Sequence, residues 1–239
     1  MLFLKSMVKL SIIIPCYNEE KNIFLILEKF SKIILSNDTE VLFVNNGSTD
    51  NSEKVFKKLA RNYSFARIVK VDINKGYGFG IKSGLNEAKG EFIGYTHADL
   101  QTDPADVLRA FEIIEKQENP EMCYVKGDRK KRPIFDQFFT VGMSIFETIY
   151  LKTKLWDINA QPNIFHRSFF KDLDEIPNDF SLDLFLLYFA QKKGYKILRF
   201  NVFFPPRLHG ESKWNTGFKS KIKFIKRTIY FSSKLKKHL

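Results

Sequence analysis

The sequence predicts an α/β fold in which a mostly parallel central sheet is flanked by helices on both faces. Short apolar runs rich in β-branched residues alternate four times with segments whose apolar residues recur at helical spacing. The connections between these segments are short, as in strand–helix–strand units. The chain has 239 residues, of which 44% are hydrophobic, and this suits one domain with a sizeable core.

The first half of the chain carries the four alternations. Residues 8–14 form a continuous apolar run that stops at Pro15, which is typical of a strand buried on both faces. Residues 19–35 follow, with apolar side chains on one helical stripe. The remaining predicted elements are strand 40–44, a helix after Asp50, strand 66–71, the glycine-rich turn NKGYGFG, helix 81–88, strand 91–96 and a helix opened by Asp103 and Pro104.

The second half of the chain has a less regular pattern. We find no internal repeat and no low-complexity linker in it, so it is expected to complete the same domain. Its predicted elements are strand 122–126, the polar loop GDRKKR, an aromatic-rich helix at 133–151, a short strand within NAQPNIFHRSFF, helix 182–193, strand 195–204 and the loop PPRLHGESKW.

Polar residues cluster directly after each strand of the first half. The clusters are residues 17–20, 45–50, 74–80 and 97–101. In a parallel sheet the carboxyl ends of the strands lie at one edge, where ligands bind. Four polar loops are therefore expected to converge on one site.

The positive charge of the chain is concentrated at its C-terminus. Residues 216–239 hold eight Lys or Arg and no acid, which accounts for most of the net charge of +12. Phe218, Ile222, Ile225 and Ile229 recur among the lysines at helical spacing, which predicts a basic amphipathic helix on an anionic membrane surface. A helix packed on its own domain with a solvated outer face is the alternative. Nucleic-acid binding would place basic and aromatic residues across one face, so the charge confined to the tail disfavours it.

Cysteine usage and hydropathy indicate the compartment. Cys16 and Cys123 each lie inside an apolar run and form no framework of spaced pairs, which favours a reducing cytosolic environment. No apolar stretch approaches the length of a membrane span. Together with the basic tail, these features predict a cytoplasmic protein that associates peripherally with a membrane.

Five motifs occur in order along the chain: SIIIPCYNEEKNI, VNNGSTDNS, NKGYGFGIKSGL, HADLQTDP and RLHGESKW. Together they resemble family 2 glycosyltransferases of the GT-A fold, and especially the dolichyl- or polyprenyl-phosphate sugar transferases and related bacterial glycan enzymes. The resemblance covers roughly residues 8–215. It implies a single glycosyltransferase domain at 1–215, with a nucleotide-binding half at 1–117 and an acceptor-binding half at 118–215, followed by the basic tail.

The resemblance implies an inverting hexosyltransferase that moves a sugar from a GDP- or UDP-linked donor to a polyprenyl phosphate at the membrane surface. A phosphate acceptor is already an oxyanion and needs no strong base. Transfer to a carbohydrate hydroxyl in lipopolysaccharide or capsule synthesis, which does need a base, is an open alternative. A catalytically inactive nucleotide-sugar binder is another.

His97-Ala98-Asp99 stands where the family usually has two aspartates flanking one residue. Residues two apart in an extended chain face the same way, so both side chains can face a diphosphate. The resemblance implies that Asp99 contacts a divalent cation, Mn²⁺ or Mg²⁺, with Gln101 as a neutral oxygen ligand. His97 is either a nitrogen ligand or a contact to the nucleotide. In a purely structural alternative, Asp99 and Asp103 only cap a turn.

The loops after the first strands are implied to bind the nucleotide sugar. Asn45 and Asn46 replace acids that the family often has, and an amide donates as well as accepts. Turn formation is the alternative for both asparagines, a helix-start charge for Glu19, and a mobile glycine turn for Lys75. The expected contacts are Pro15, Tyr17, Asn18, Glu19, Asn45, Asn46, Lys75, Gly76, His97, Ala98 and Asp99.

Basic residues of the second half are implied to hold phosphates. Arginine grips phosphate oxygens bidentately, although a run of charges is also compatible with a solvated face. Asp183, at the start of an apolar helix, is either a general base or a helix-start acid, and the expected catalytic residues are Asp99, Arg129 and Asp183. The residues expected at the donor phosphates or the acceptor are Arg129, Arg132, Arg207, His209, Ser212 and Lys213.

Overall fold

The computed structural model describes residues 7–130, 134–205 and 218–237. Within these ranges seven strands and eight α-helices follow one another, and the alternation expected for the first half is confirmed. The elements are β1 (Leu10–Cys16), α1 (Glu20–Ile33), β2 (Thr39–Asn46), α2 (Ser52–Leu59), β3 (Ala66–Val71), α3 (Tyr77–Glu87), β4 (Phe92–Tyr95), α4 (Ala105–Glu115), β5 (Cys123–Lys130), α5 (Ile134–Tyr150), β6 (Asn163–His166), α6 (Arg167–Lys171), α7 (Leu182–Lys192), β7 (Lys196–Phe203) and α8 (Phe218–Lys237).

The strands form one sheet in the order β3-β2-β1-β4-β6-β5-β7. The pairs β1–β2, β1–β4, β2–β3 and β5–β7 are parallel, while β6 runs antiparallel to both of its neighbours. The predicted mostly parallel α/β sheet is therefore confirmed. Because β6 is reversed, its first residue, Asn163, lies beside Tyr95 at the carboxyl end of β4.

Two apolar clusters cover the two faces of the sheet, and β1 contributes to both. Ile12 and Ile14 pack in the cluster that contains residues of α1 and α4, whereas Ile13 packs with residues of α3 and α7. Alternate side chains of a strand point to opposite faces. This explains why β1 reads as an unbroken apolar run rather than as an alternating one.

The glycine-rich segment is largely helical, and the expectation of a turn through residue 80 is wrong. The helix α3 begins at Tyr77 and includes Gly78 and Gly80. A Cβ on Gly78 would lie 2.5 Å from the carbonyl oxygen of Pro177, and one on Gly80 would lie 2.8 Å from Asn46 Nδ2. These glycines allow close packing. Among the glycines of this segment, only Gly76, with φ +119°, has a backbone that side chains disfavour.

Two strands extend further than the sequence pattern indicates. The strand β2 runs to Asn46, so Asn45 and Asn46 are its last two residues and do not lie in a loop. The strand β5 runs to Lys130, so Arg129 lies in a strand and the expectation of a loop there is wrong. The cause is β7, which pairs with β5 in continuous parallel register as far as Lys130 and Phe203.

The C-terminal helix α8 packs against α5 and α7. Ser232 Oγ donates to Glu147 Oε2 of α5 (2.7 Å), and both residues are buried. The rings of Phe231 and Phe185 lie 6.5 Å apart and join α8 to α7. The packing face of α8 is therefore centred on residues 228, 232 and 235, which are buried.

The apolar residues that the sequence singled out in the tail lie beside this packing face. Ile222 and Ile229 are partly exposed, and Ile225 is half-buried. The helix thus packs on its own domain, as the alternative interpretation expected, and its isoleucines lie at the edge of the packing face. In the part of the chain that the structure describes, no helix is both long and apolar enough to span a bilayer.

Candidate active site

Hydrogen bonds join the loops after β1 and β2 at the carboxyl edge of the sheet. Asn18 Oδ1 accepts from the N–H of Thr49 (2.8 Å), and the Asn18 N–H donates to Ser48 Oγ (3.1 Å). Asp50 Oδ2 accepts from the N–H of Glu20 (3.3 Å). Asn18 has a left-handed backbone, with φ +59°, which Asn adopts more readily than most residues. These contacts fix one side of the site.

The two asparagines at the end of β2 have different partners. Asn45 Oδ1 accepts from the N–H of Ser48 (3.2 Å) and closes its own turn. Asn46 Nδ2 donates to the carbonyl oxygen of Gly76 (3.0 Å) and so ties β2 to the start of α3. Asn46 Oδ1 is buried and has no hydrogen-bond partner among the described residues. An unpaired buried acceptor costs about 1–3 kcal/mol, so a ligand N–H would be favourable there.

The segment after β4 folds into a tight turn that presents Asp99. Thr96 and Thr102 share a buried hydrogen bond between their hydroxyls (2.8 Å), which closes the turn. Asp99 Oδ1 accepts from the N–H of Gln101 (3.1 Å). Leu100 between them has φ +58°, a conformation that costs a branched side chain free energy and that the turn imposes. The turn holds the Asp99 carboxylate at the end of the sheet.

Aromatic rings line the site next to this turn. The His97 ring lies 6.0 Å from the Tyr77 ring, centroid to centroid. Tyr77 in turn stacks on Phe180, at 4.6 Å with an interplanar angle of 6°. Because Tyr77 begins α3 and Phe180 precedes α7, this stack joins the two halves of the chain at the site.

The side chains of this turn fit a divalent cation whose remaining coordination positions are filled by a bound phosphate. They offer one carboxylate from Asp99, an imidazole from His97 and the amide oxygen of Gln101. The described residues contain no cluster of three His, Cys, Asp or Glu that would bind a metal alone. Gln101 Nε2 donates to the carbonyl oxygen of Pro205 (3.2 Å). A hard cation takes six or more oxygen ligands, so phosphate oxygens would complete its coordination.

Asp183 lies in the core beneath the rings and is only 2% exposed. Its Oδ1 accepts from the hydroxyl of Tyr95 (2.7 Å) and from Gln161 Nε2 (3.2 Å). Gln161 Nε2 also donates to the hydroxyl of Tyr77 (2.9 Å). Burial raises the pKa of the Asp183 carboxyl above its ordinary value. The carboxylate therefore anchors Tyr95 and, through Gln161, the ring beside His97.

A buried lysine completes this network, and sequence reasoning missed it. Lys126 is fully buried, and its Nζ donates to the carbonyl oxygen of Ala160 (2.8 Å) and to Asn163 Oδ1 (2.6 Å). Burial lowers the pKa of the Lys126 ammonium to about 7, against the opposing field of Asp183. Its one trace in the sequence is a lysine at the end of an apolar run, which does not indicate the partners that Lys126 has in the fold.

Arg129 forms a nearly buried ion pair at the carboxyl end of β5. Its N–H and its Nε donate to the Asp157 carboxylate, both at 3.0 Å, and its Nη2 also contacts Asp157. Burial alone would raise the pKa of the Asp157 carboxyl, but the charge and hydrogen bonds of Arg129 hold it below its ordinary value. The guanidinium carbon lies 5.6 Å from the centroid of the Phe204 ring. These contacts fix the guanidinium in one orientation.

The other expected site residues have varied positions. Pro15 lies in β1 beside Val44, Tyr17 is half-buried, and Ala98 is buried between the candidate ligands. Glu19 Oε2 accepts from Asn22 Nδ2 (2.6 Å), a contact between the residue before α1 and its first turn that agrees with a helix-start role. Lys75 is exposed, with its Nζ 5.2 Å from the Phe79 ring. Five expected phosphate or acceptor contacts lie outside the described residues: Arg132, Arg207, His209, Ser212 and Lys213.

The family model of glycosyl transferase family 2 matches residues 11–174, which contain β1 from its second residue, β2 to β6 and the turn with Asp99. The chain belongs to this family. The expected resemblance is thereby confirmed.

Named relatives match parts of the chain. An undecaprenyl-phosphate 4-deoxy-4-formamido-L-arabinose transferase from Yersinia enterocolitica is 33% identical over 112 residues, which cover 45% of this chain and 34% of the relative. A dolichyl-phosphate beta-glucosyltransferase from Trichomonas vaginalis is 27% identical over 59% of this chain and 48% of its own. An uncharacterized protein of Methanocaldococcus jannaschii is 27% identical over 78% of this chain and 83% of its own. The chain thus spans about a third of the length of the first curated relative.

Solved structures share the fold. Glucosyl-3-phosphoglycerate synthase from Mycobacterium tuberculosis, crystallised with Mn²⁺, UDP-glucose and phosphoglyceric acid, has a TM-score of 0.71 at 18% identity, covering 94% of this chain and 80% of its own. The same enzyme with Mg²⁺ and UDP has a TM-score of 0.70 at 18% identity, covering 94% of this chain and 79% of its own. The fold is the GT-A fold of nucleotide-sugar glycosyltransferases.

Proposed function

We propose that this glycosyltransferase is an inverting enzyme that transfers a sugar from a UDP- or GDP-linked donor to a polyprenyl phosphate. The position of Asp99 carries the proposal, because its turn follows β4 at the edge where the loops after β1, β2 and β3 meet. The names of the undecaprenyl- and dolichyl-phosphate relatives support the acceptor class.

The donor is bound by the loops after β1 and β2. A uracil or a guanine carries a ring N–H, and Asn46 Oδ1 is a buried acceptor suited to it. The loop of Tyr17, Asn18 and Glu19 lies against the loop of Ser48 and Thr49, which supports assigning it to the ribose. Both bases have such an N–H, and the proposal therefore covers both donors.

The diphosphate lies at the turn after β4. Asp99 would hold a divalent cation there together with Gln101 and His97. A bound Mn²⁺ or Mg²⁺ would supply positive charge to the departing nucleoside diphosphate. Arg129 presents a guanidinium whose orientation Asp157 fixes at the carboxyl end of β5, at the same edge of the sheet. A fixed cation costs no reorganisation when charge develops on the leaving group.

The burial of Asp183 favours a phosphate acceptor over a hydroxyl acceptor. A hydroxyl must lose a proton to a base within hydrogen-bond reach. The only base candidate from the sequence, Asp183, is buried and accepts hydrogen bonds from Tyr95 and Gln161. We assign it a positioning role. A polyprenyl phosphate brings its own oxyanion, so its attack on the anomeric carbon needs no base.

A transfer assay tests this function. The purified chain is incubated with labelled UDP- and GDP-sugars, Mn²⁺ or Mg²⁺, and either a polyprenyl phosphate or glycan acceptors. We expect label in the lipid phosphate product, with the anomeric configuration inverted. Transfer only to a glycan hydroxyl would replace the proposed acceptor with the carbohydrate alternative, and donor binding without any product would identify an inactive binder.

Two aspartates of one segment provide a matched pair of variants. Asp99→Asn is expected to remove metal-dependent nucleotide binding, measured by calorimetry with UDP and GDP in the presence of Mn²⁺. Asp103 Oδ1 accepts from the N–H of Ala105 (3.1 Å) and caps α4, so Asp103→Asn is expected to retain binding. Equal metal dependence in both variants would remove Asp99 from the cation site.

A further inference from the structure

An apolar stripe runs along the outer face of α5. Ile134, Phe138, Ile145 and Ile149 are 69%, 73%, 51% and 72% exposed. At 100° per residue, these four positions fall within about 60° of one another around the helix axis, and they extend over about 22 Å. We call these four residues the α5 stripe. Four large apolar side chains in one line are more than the scattered exposure that a surface normally has.

The stripe lies opposite the face that α5 uses for packing. Ser144 and Glu147 are buried on that inner face, where Glu147 contacts α8. Gly142 lies on the outer side near the stripe, and a Cβ built on it would meet no atom within 4 Å. The core therefore gains nothing from the apolar character of the stripe.

Positive charges and an aromatic ring follow the stripe at the C-terminal end of α5. Lys152 and Lys154 follow α5 directly and are exposed, and Trp156 is 42% exposed. Tryptophan and lysine are the residues that favour the boundary between lipid and water.

No acid accompanies these lysines in sequence, since residues 148–156 contain none. Among the described side chains of α5, the acid Glu147 is buried on the inner face, away from the stripe. An apolar stripe with cations beside it is complementary to anionic lipid, whose headgroups attract the lysines while the acyl boundary accepts Ile and Phe.

We propose that the α5 stripe is the membrane-docking surface of this protein, with α5 lying in the plane of an anionic bilayer surface and Lys152 and Lys154 at its C-terminal end. The sequence assigned both charge and apolar contact to the tail, whereas here α5 supplies the apolar contact and the segment directly after it supplies the charge. The purpose of this surface rests on the proposed function, because a polyprenyl phosphate resides in a membrane. Its binding to lipid is measured without any substrate.

Vesicle flotation tests the proposal with the full chain. The vesicles contain phosphatidylglycerol and phosphatidylcholine, with pure phosphatidylcholine as the uncharged comparison. The variant Phe138→Gln with Ile149→Gln is expected to bind anionic vesicles at least about tenfold more weakly, since two apolar side chains no longer enter the acyl boundary. The control Met7→Gln with Leu35→Gln removes two apolar residues that are more exposed, at 82% and 91%, and is expected to bind like the parent.

A second variant separates charge from apolar contact. Lys152→Gln with Lys154→Gln is expected to weaken binding to anionic vesicles and to reduce its salt dependence. All changed side chains are exposed, so the melting temperatures are expected to match that of the parent. Equal flotation of the stripe variant and the parent would overturn the proposal. So would a lipid-free dimer of the parent that the stripe variant converts to a monomer, because the stripe would then bind a second copy.

The proposed function is tested apart from docking with a short, water-soluble polyprenyl phosphate. The stripe variant is expected to transfer sugar to this acceptor at the parent rate while failing to bind vesicles. A parent that binds vesicles but transfers nothing would reject the function and leave the docking surface in place.

Discussion

Replacing Glu147 with glutamine is expected to remove a loss of unfolding free energy that the protein shows as the pH rises, and that originates at the contact between α5 and α8. Glu147 is fully buried and accepts one hydrogen bond, from Ser232 Oγ (2.7 Å). Burial raises the pKa of the Glu147 carboxyl from 4.5 to about 7. A folded state that holds a proton more tightly than the unfolded state loses stability as the pH rises between these two values.

The size of the effect follows from the two pKa values. A shift of about 2.5 units corresponds to roughly 3.4 kcal/mol between the protonation states, reached in full above the folded pKa. Between about pH 5 and pH 8, the parent is therefore expected to lose about 2.5 kcal/mol of unfolding free energy relative to Glu147→Gln. The amide adds a buried donor that costs about 1–3 kcal/mol if unpaired, so the difference between pH values, and not its absolute level, is the prediction.

Urea unfolding at a series of pH values measures this difference directly. Glu112→Gln, which removes an exposed acid from α4, is the matched control and is expected to follow the parent at every pH. A Glu147→Gln profile parallel to that of the parent would refute the reasoning, since the carboxyl would then ionise as it does in water.

Three further outcomes are expected. The unfolding free energy of Lys126→Met relative to the parent should fall by about 2 kcal/mol from pH 7 to pH 9, and urea unfolding measures this change. The reason is that burial lowers the pKa of the Lys126 ammonium to about 7, so the parent gains stability above pH 7, where the buried lysine is uncharged. Gly80→Ala should lower the melting temperature, with a cost of about 1–3 kcal/mol, because its Cβ would lie 2.8 Å from Asn46 Nδ2. The parent is expected to lose Mn²⁺-dependent nucleotide affinity on acidification, since a protonated imidazole binds no metal, and His97→Ala should reduce this loss. Calorimetry at several pH values checks this, and the same pH dependence of affinity in both proteins would make His97 a turn residue only.

The sequence predicted the elements well where local pattern and tertiary packing agree. The strand β3 begins and ends at the expected residues, and β1 and α7 differ from expectation by two residues or fewer. It failed where a partner distant in sequence decides the outcome. The end of β5 is held by β7, about seventy residues further on, and the glycines of α3 read as a turn because the atoms that require them, such as the carbonyl oxygen of Pro177, lie about a hundred residues away.

The residues of the candidate site could likewise be predicted where local sequence defines them, and not where distant contacts do. The turn with His97 and Asp99, and the loops after β1 and β2, could be placed because each follows a recognisable strand. Lys126, Gln161 and Asn163 could not, because their importance comes from contacts made across β5, β6 and α7. A buried hydrogen-bond network is a property of three-dimensional neighbours, and single-sequence periodicity carries no record of them.

Because β6 runs antiparallel to its neighbours, the second half of the chain reaches the site through a segment of its own. The segment between α5 and β6 enters the sheet at the edge where β4 ends, and it contributes Asp157 and Gln161 there. None of its residues takes part in the bonds that join the loops after β1 and β2. Under the proposed function, donor preference and acceptor preference would then be encoded in separate stretches of sequence, and selection could alter one while leaving the other intact.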